Sequence, residues 1–110
     1  MHPADAGEEQ RSIIDACLAR NVPFIWKGPG TLLVAGAGAS EVVAELRSSG
    51  HAILGLEAFE VPSTEVRPRL DLIFDASLRP DVDDPSTVLD EWGQEIWVDI
   101  ALRSGPESTR

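Results

Sequence analysis

Six side chains, four acidic and two aromatic, are the residues of this sequence best suited to form a binding or catalytic surface. They are Glu57, Phe59, Asp71, Asp75, Trp97 and Asp99. Because the side chains of a β-strand point alternately to its two faces, all six can share one face of a sheet. Clustered carboxylates can hold a divalent metal ion or act as an acid and base. Aromatic side chains surrounded by carboxylates suit a basic protein surface.

Three strands must carry these residues. The sequence predicts strands over about 52–61 and 70–77, because both runs are short, rich in Ile, Leu and Phe, and bounded by turn residues such as Gly50 and Pro62. It predicts a further strand over 95–102, with alternating apolar residues. In each strand one set of side chains is expected on the apolar face: Leu54, Leu56 and Ala58; Leu70, Leu72, Phe74 and Ala76; and Ile96, Val98, Ile100 and Leu102.

The remaining elements are expected to cover the apolar face of this sheet. Helical periodicity predicts a helix over 7–20, and two short strands over 22–27 and 31–35 flank a turn at 28–30. Ser40 is the expected N-cap of a second helix after the turn 36–39, and Asp84 with Pro85 the start of a third. The order α-β-β-α-β-β-α-β predicts an α+β domain with one mixed, mainly antiparallel sheet of about five strands. If the second and third strands are parallel neighbours, the second helix is a right-handed crossover between them.

Length and composition predict one cytoplasmic domain. The 110 residues are enough for one core, and 1–6 and 104–110 are expected to be loose termini. No apolar run has the length of a membrane span, and the polar, acidic first residues do not resemble a secretory signal. Cys17 is the one cysteine. An internal disulfide is therefore excluded, and a buried structural thiol is expected.

Acidic residues dominate the charge of the chain, and they are unevenly distributed. Nineteen acids against nine bases give a net charge of −10. The segment 57–99 contains twelve of the acids and three arginines, so it carries a net charge of −9. Nucleic acid and anionic membranes are excluded as partners because both would be repelled, and a basic protein surface would be attracted. Solubility alone also explains such an excess of charge.

Two partial motifs indicate cofactors but lack essential residues. The run from Gly36 to Glu57 resembles a dinucleotide-binding unit, yet Glu41 occupies its third small position. The run that starts at Asp81 resembles a calcium loop, yet Ser86 replaces the required Gly and Trp92 the bidentate Glu. No triad or zinc spacing includes a histidine. The sequence therefore predicts no catalytic residues, no metal site and no cofactor.

Four stretches of the chain resemble the small acidic immunity proteins that bacteria encode beside polymorphic or contact-dependent toxins. They are VPFIWKGPGTLLVAG, GHAILGLEAFEV, PRLDLIFD and EIWVDIAL, within residues 22–102. The resemblance lies in size, acidity and α+β build rather than in an invariant motif. It implies a cytoplasmic inhibitor that sequesters a toxin, commonly a nuclease, at its active site or a neighbouring exosite.

The resulting hypothesis is a non-enzymatic protein-binding module, specifically an immunity protein that binds the basic surface of a cognate toxin through the six residues named first. The alternative hypothesis is a small-ligand or divalent-metal-binding domain that uses the same carboxylates. The sequence leaves the oligomeric state open.

Overall fold

A computed structural model describes residues 7–27, 31–61 and 66–103 of the chain. Within these residues, three α-helices and five β-strands follow one another in the predicted order, with one 3₁₀ turn between the fourth strand and the third helix. They are α1 (Glu8–Arg20), β1 (Phe24–Trp26), β2 (Leu32–Ala35), α2 (Gly36–Ser48), β3 (Ala52–Glu60), β4 (Arg67–Asp75), the 3₁₀ turn Ala76–Leu78, α3 (Ser86–Trp92) and β5 (Trp97–Arg103). The α+β class and the order of elements are thus confirmed. The predicted termini at 1–6 and 104–110, the turn at 28–30 and the Pro62 turn lie outside the described residues.

The five strands form one sheet in the order β1-β2-β5-β3-β4. Every strand pairing among the described residues is antiparallel. The expectation that β2 and β3 are parallel neighbours is wrong, because β5 lies between them and pairs with both. The alternating apolar residues of β5 explain this central position. A strand with a continuous apolar face buries the most apolar surface where helices cover the sheet.

The helices pack on one face of the sheet and form the core there. The alternating β5 residues Val98, Ile100 and Leu102 are buried, as the sequence predicts. They belong to one cluster with the inward sides of α1 and α2, including Ile14, Cys17, Val42, Val43 and Leu46. Cys17 is fully buried in this cluster, and burial raises the pKa of its thiol to about 12. It is therefore a packing residue rather than a nucleophile.

Helix α2 begins at Gly36, four residues before the predicted N-cap Ser40. The glycines that suggested a loop are instead packing residues in the first turn of the helix. A Cβ on Gly38 would lie 2.6 Å from a methyl carbon of Val22, and a Cβ on Gly36 would lie 2.5 Å from the carbonyl oxygen of Ile96. Close approach of neighbouring elements therefore requires glycine at both positions. Both glycines therefore lie in a helix and do not form the glycine-rich loop that a dinucleotide-binding unit requires.

Two register shifts bend β3 and β4. In the pairing of β3 with β5, the register shifts between Ile53 and Gly55. In the pairing of β3 with β4, Glu57 lies opposite Ile73 whereas the next residue, Ala58, lies opposite Arg69. Between these two pairs the register therefore advances by one residue on β3 and by four residues on β4. Such bulges increase the local twist of an edge strand and redirect its side chains.

Candidate binding surface

The sheet face opposite the helices carries five of the six predicted site residues. We call it the open face, because no helix of the described residues packs on it. Glu57 lies directly opposite Asp99 in the pairing of β3 with β5, and Phe59 lies directly opposite Trp97. Asp75 of β4 lies opposite Gly55, two residues before Glu57 on the same face. The alternation of side chains therefore brings these five residues together as the sequence predicts.

The aromatic pair Phe59 and Trp97 is half-buried on the open face. Directly opposite residues of antiparallel strands have neighbouring side chains, so the two rings form one apolar patch beside the carboxylates. The other two tryptophans differ, because Trp26 and Trp92 pack against the helix-side core. Trp97 is thus the tryptophan that lies on the open face.

A groove of about 410 Å³ runs across β3, β4 and β5 beside the aromatic patch. Three acidic residues line it, Glu57, Asp75 and Asp99, together with three apolar residues and a glycine: Leu54, Ile73, Ala101 and Gly55. Leu54 and Ile73 are large apolar residues with 45% and 51% of their surfaces exposed. The groove therefore combines exposed apolar walls with negative charge.

The carboxylates in the groove have different surroundings. Burial raises the pKa of Asp99, and the negative charge of Glu57 raises it further. Asp75 has the opposite environment, because its Oδ1 accepts hydrogen bonds from the Ser77 hydroxyl at 2.7 Å and the Ser77 amide at 2.9 Å. These bonds lower the pKa of Asp75. Relative to the protonated form, ionisation is therefore less favourable at Asp99 than at Asp75.

Asp71, the sixth predicted residue, does not line the groove. Arg69 holds its carboxylate with two hydrogen bonds, from Nε to Oδ1 at 3.0 Å and from Nη2 to Oδ2 at 2.9 Å. The same guanidinium also reaches Glu60 at 3.2 Å. The hydrogen bonds from Arg69 lower the pKa of Asp71. The cause of this placement is the bulge in β4, which leaves residues 70–72 without partners in the β3 register.

Two leucines also lie on a different face from the one that the sequence predicts. Leu54 was expected on the covered face with Leu56, but the register shift between Ile53 and Gly55 leaves it exposed at the groove. Leu70 was expected on the covered face with Phe74, but the β4 bulge leaves 77% of its surface exposed. Strict alternation holds only while the register is continuous. Gly55, isolated within a predicted strand, was the sequence signal for such an irregularity.

The acidic loop before α3 has a structural role. The carboxylate of Asp84 accepts hydrogen bonds from the amide and hydroxyl of Ser86 and from Arg47, at 3.0, 2.7 and 2.9 Å. Asp81 forms an ion pair with Arg79. The helix begins at Ser86 with Pro85 as its N-cap residue, one position later than the predicted N-cap Asp84 and first residue Pro85. The Asp84 carboxylate nevertheless binds the amide of the first helical residue.

The described residues contain no group of three or more His, Cys, Asp or Glu side chains arranged to hold a metal ion. Across the described part of the chain, no helix is long and apolar enough to cross a membrane. Comparisons with protein-family models, with curated proteins and with solved structures each found no match.

Proposed function

We propose that this chain is a non-enzymatic protein-binding module that uses its open face to bind a basic partner protein. The observation that carries this proposal is the pairing of Phe59 with Trp97 immediately beside Glu57 and Asp99, on a sheet face that no described helix covers. A sheet face that served only as a solvated surface would not need two neighbouring aromatic side chains there. Exposed apolar surface bordered by charge is typical of a protein interaction site.

The two kinds of residue would contribute to different steps of binding. The net charge of −9 in segment 57–99 would accelerate the encounter with a basic partner. Desolvated aromatic side chains near the centre of an interface mainly slow dissociation. Phe59 and Trp97 are already half-buried in the sheet. They would therefore lose little conformational freedom on binding, which favours their role as anchors.

The more specific proposal is a cytoplasmic immunity protein that neutralises a toxin with a basic surface, such as a nuclease. It rests on the sequence resemblance and on the size, acidity and α+β architecture of the chain. A toxin that acts on nucleic acid needs a positively charged cleft. An acidic face with aromatic anchors is complementary to such a cleft.

Where a toxin domain is encoded beside this gene, its binding kinetics with this chain test the proposal. We expect Trp97→Ala to accelerate dissociation and weaken binding by about 2 kcal/mol or more, as at a hot spot. Asp75→Asn and Asp99→Asn should chiefly slow association and reduce its dependence on salt. Asp71→Asn is the matched control, because it removes the same charge outside the groove and should leave dissociation unchanged.

Circular dichroism must first show that each variant is folded. If the folded Trp97→Ala, Asp75→Asn and Asp99→Asn variants all bind like the parent at low and at moderate salt, the open face is not the interface. The absence of any association between this chain and the neighbouring toxin domain would count against the immunity function itself.

The alternative function, a divalent-metal or small-ligand site, has one observation in its favour: three carboxylates line the groove. Ca²⁺, Mg²⁺ or Mn²⁺ bound there would raise the melting temperature by mass action. We expect no increase. A saturable increase that Asp75→Asn abolishes would favour the metal site over the protein-binding proposal.

A further inference from the structure

We propose that the groove across β3, β4 and β5 takes the side chain of an arginine from the partner. This inference rests on the function proposed above and specifies the chemistry of the partner at one position. The apolar stem of the arginine would pack between Leu54 and Ile73. Its guanidinium would lie among the carboxylates of Glu57, Asp75 and Asp99.

The shape of the groove suits a long, narrow side chain with an apolar stem. Leu54 and Ile73 each expose about half of their surface beside it, while Gly55 and Ala101 between them contribute almost no side chain. A Cβ at Gly55 would lie 3.0 Å from the carbonyl oxygen of Phe74, so glycine suits this part of the lining. Arginine and lysine bury their methylene groups on apolar surfaces of this kind while the charged head stays with polar partners.

The carboxylates at the groove have acceptor capacity that the protein does not use. No described residue forms a hydrogen bond or ion pair with the side chain of Glu57 or Asp99. Asp75 uses one oxygen, Oδ1, for both hydrogen bonds from Ser77. Ionised carboxylates accept several hydrogen bonds each. A cation that enters the groove would thus meet acceptors on all three strands.

The direct opposition of Glu57 and Asp99 also favours the binding of a cation between them. Like charges on directly opposite residues of neighbouring strands are destabilising. The described part of the protein does not compensate this pair with a basic side chain: among the charged residues that face the same side from the three strands, Arg103 is the one base, and it lies opposite Ala52 at the far end of β5. An arginine from the partner would remove this repulsion.

The geometry favours arginine over lysine. The guanidinium is planar and presents five N–H donors in a fixed arrangement, whereas the ammonium of lysine is a compact point charge. Carboxylates that approach from opposite strands can therefore be bound by different edges of one guanidinium. The aromatic ring of Trp97, two residues from Asp99, offers a surface on which a guanidinium can also stack.

Arginine amide derivatives provide a test that requires no partner protein. N-acetyl-arginine amide is titrated into the protein with labelled Leu and Ile methyl groups, and NMR follows Leu54 and Ile73. Two matched probes are compared with it. N-acetyl-lysine amide keeps the positive charge but lacks the guanidinium, and N-acetyl-norleucine amide keeps the apolar stem but lacks the charge. We expect saturable shifts at both methyl positions, with tightest binding for the arginine probe.

The variants identify the carboxylates responsible. The double variant Glu57→Gln with Asp99→Asn should weaken binding of the arginine probe about tenfold, because two charge-assisted hydrogen-bond partners are lost. Asp71→Asn should leave the affinity within about twofold, since exposed charges outside the groove contribute little. In the parent protein the affinity should fall as the pH is lowered through the pKa of Asp99, because a protonated carboxyl loses its attraction for the cation.

Three results would overturn the inference: no saturable shift at Leu54 and Ile73, equal affinity for the lysine probe, or unchanged affinity in the folded double variant. None of them would decide the proposed function. A partner could still bind through Phe59 and Trp97, and the toxin-binding kinetics described above test that contact separately.

Discussion

The two faces of the sheet are formed by the same strands but differ in the burial and the charge of their side chains. On β5, Val98, Ile100 and Leu102 are buried against the helices, while the alternate residues Trp97 and Asp99 are half-buried on the open face. The covered face has continuous apolar packing. The open face places like charges opposite each other and exposes large apolar side chains. Stability explains the residues of the first face, and the binding function proposed above would explain those of the second.

The largest difference between the faces should appear when a charge is introduced. Ile100 is 5% exposed and lies opposite Leu56 on the covered face. An unpaired carboxylate there would cost several kcal/mol, out of a total stability of about 5–15 kcal/mol for a typical domain. We therefore expect Ile100→Asp to unfold the protein, as measured by far-UV circular dichroism and urea denaturation.

The control for this prediction is the next residue along the strand. Ala101 is exposed on the open face, and Ala101→Asp, which introduces the same charge where water can solvate it, should leave the cooperative transition in place. A cooperatively melting Ile100→Asp variant would show that the strand is not packed against the helices as described.

An intermediate effect is expected at the contact of α2 with Val22, on the covered side. In Gly38→Ala the new methyl group would overlap the side chain of Val22, which is buried and β-branched. Overpacking of this kind costs about 1–3 kcal/mol, and the better helix propensity of alanine returns at most about 1 kcal/mol. We expect a net loss of about 1–2 kcal/mol in urea denaturation.

A double-mutant cycle separates this overlap from a general loss of helix stability. Val22→Ala should lower stability by itself but remove most of the additional loss caused by Gly38→Ala, so the two changes should not be additive. Strict additivity would mean that the two residues do not interfere, and the close packing would then not be the reason for glycine at position 38.

The smallest effect is expected on the open face. The pKa of Asp99 is raised in the folded protein by burial and by Glu57. The folded state therefore binds more protons than the unfolded state between the ordinary carboxyl pKa and this raised value. The contribution of Asp99 to stability falls as the pH rises through that window and stays lower at neutral pH. Asp99→Asn should remove this loss.

We expect Asp99→Asn to raise the melting temperature at pH 7 by about 1–3 °C. A gain of 1 kcal/mol raises it by about 4–8 °C in a domain of this size. The expected rise is smaller because the carboxyl is partly exposed to solvent, which weakens its electrostatic interactions. The advantage over the parent should shrink as the pH falls from the raised pKa of Asp99 towards the ordinary carboxyl value, and it should be gone below that value. Thermal melts of both proteins from pH 3.5 to 7.5 would measure it. A difference that is independent of pH, or an Asn variant that is less stable at pH 7, would contradict the prediction.

The sequence predicts the covered face better than the open one. Alternation along β5 identified Val98, Ile100 and Leu102 correctly because burial imposes a strict period of two on a strand with continuous register. The order of the elements followed from turn residues and apolar periodicity. The start of α2 did not, because glycine usually favours a loop, and only the contacts of Gly36 and Gly38 with other elements reveal why it is helical here.

The composition of the groove was only partly predictable. Glu57, Asp75 and Asp99 come together because they keep the expected alternation. Asp71 and Leu54 were misplaced because each is next to a register shift, and the position of a β-bulge depends on the partner strand as well as on the strand itself. No local pattern in the sequence specifies how many residues of β4 match one step of β3.

The central position of β5 has a consequence for how the protein is made. β5 joins the β1-β2 pair to the β3-β4 pair, yet it follows all four in the chain. Synthesis at about 5–20 residues per second means that β2 and β3 exist for seconds before β5 can pair with both. During that interval each pair has an unpaired inner edge that can bind other extended chains. The sheet therefore cannot be completed until β5 has been synthesised. A delay in the synthesis of β5 would expose the nascent chain to aggregation more than a delay in any other strand.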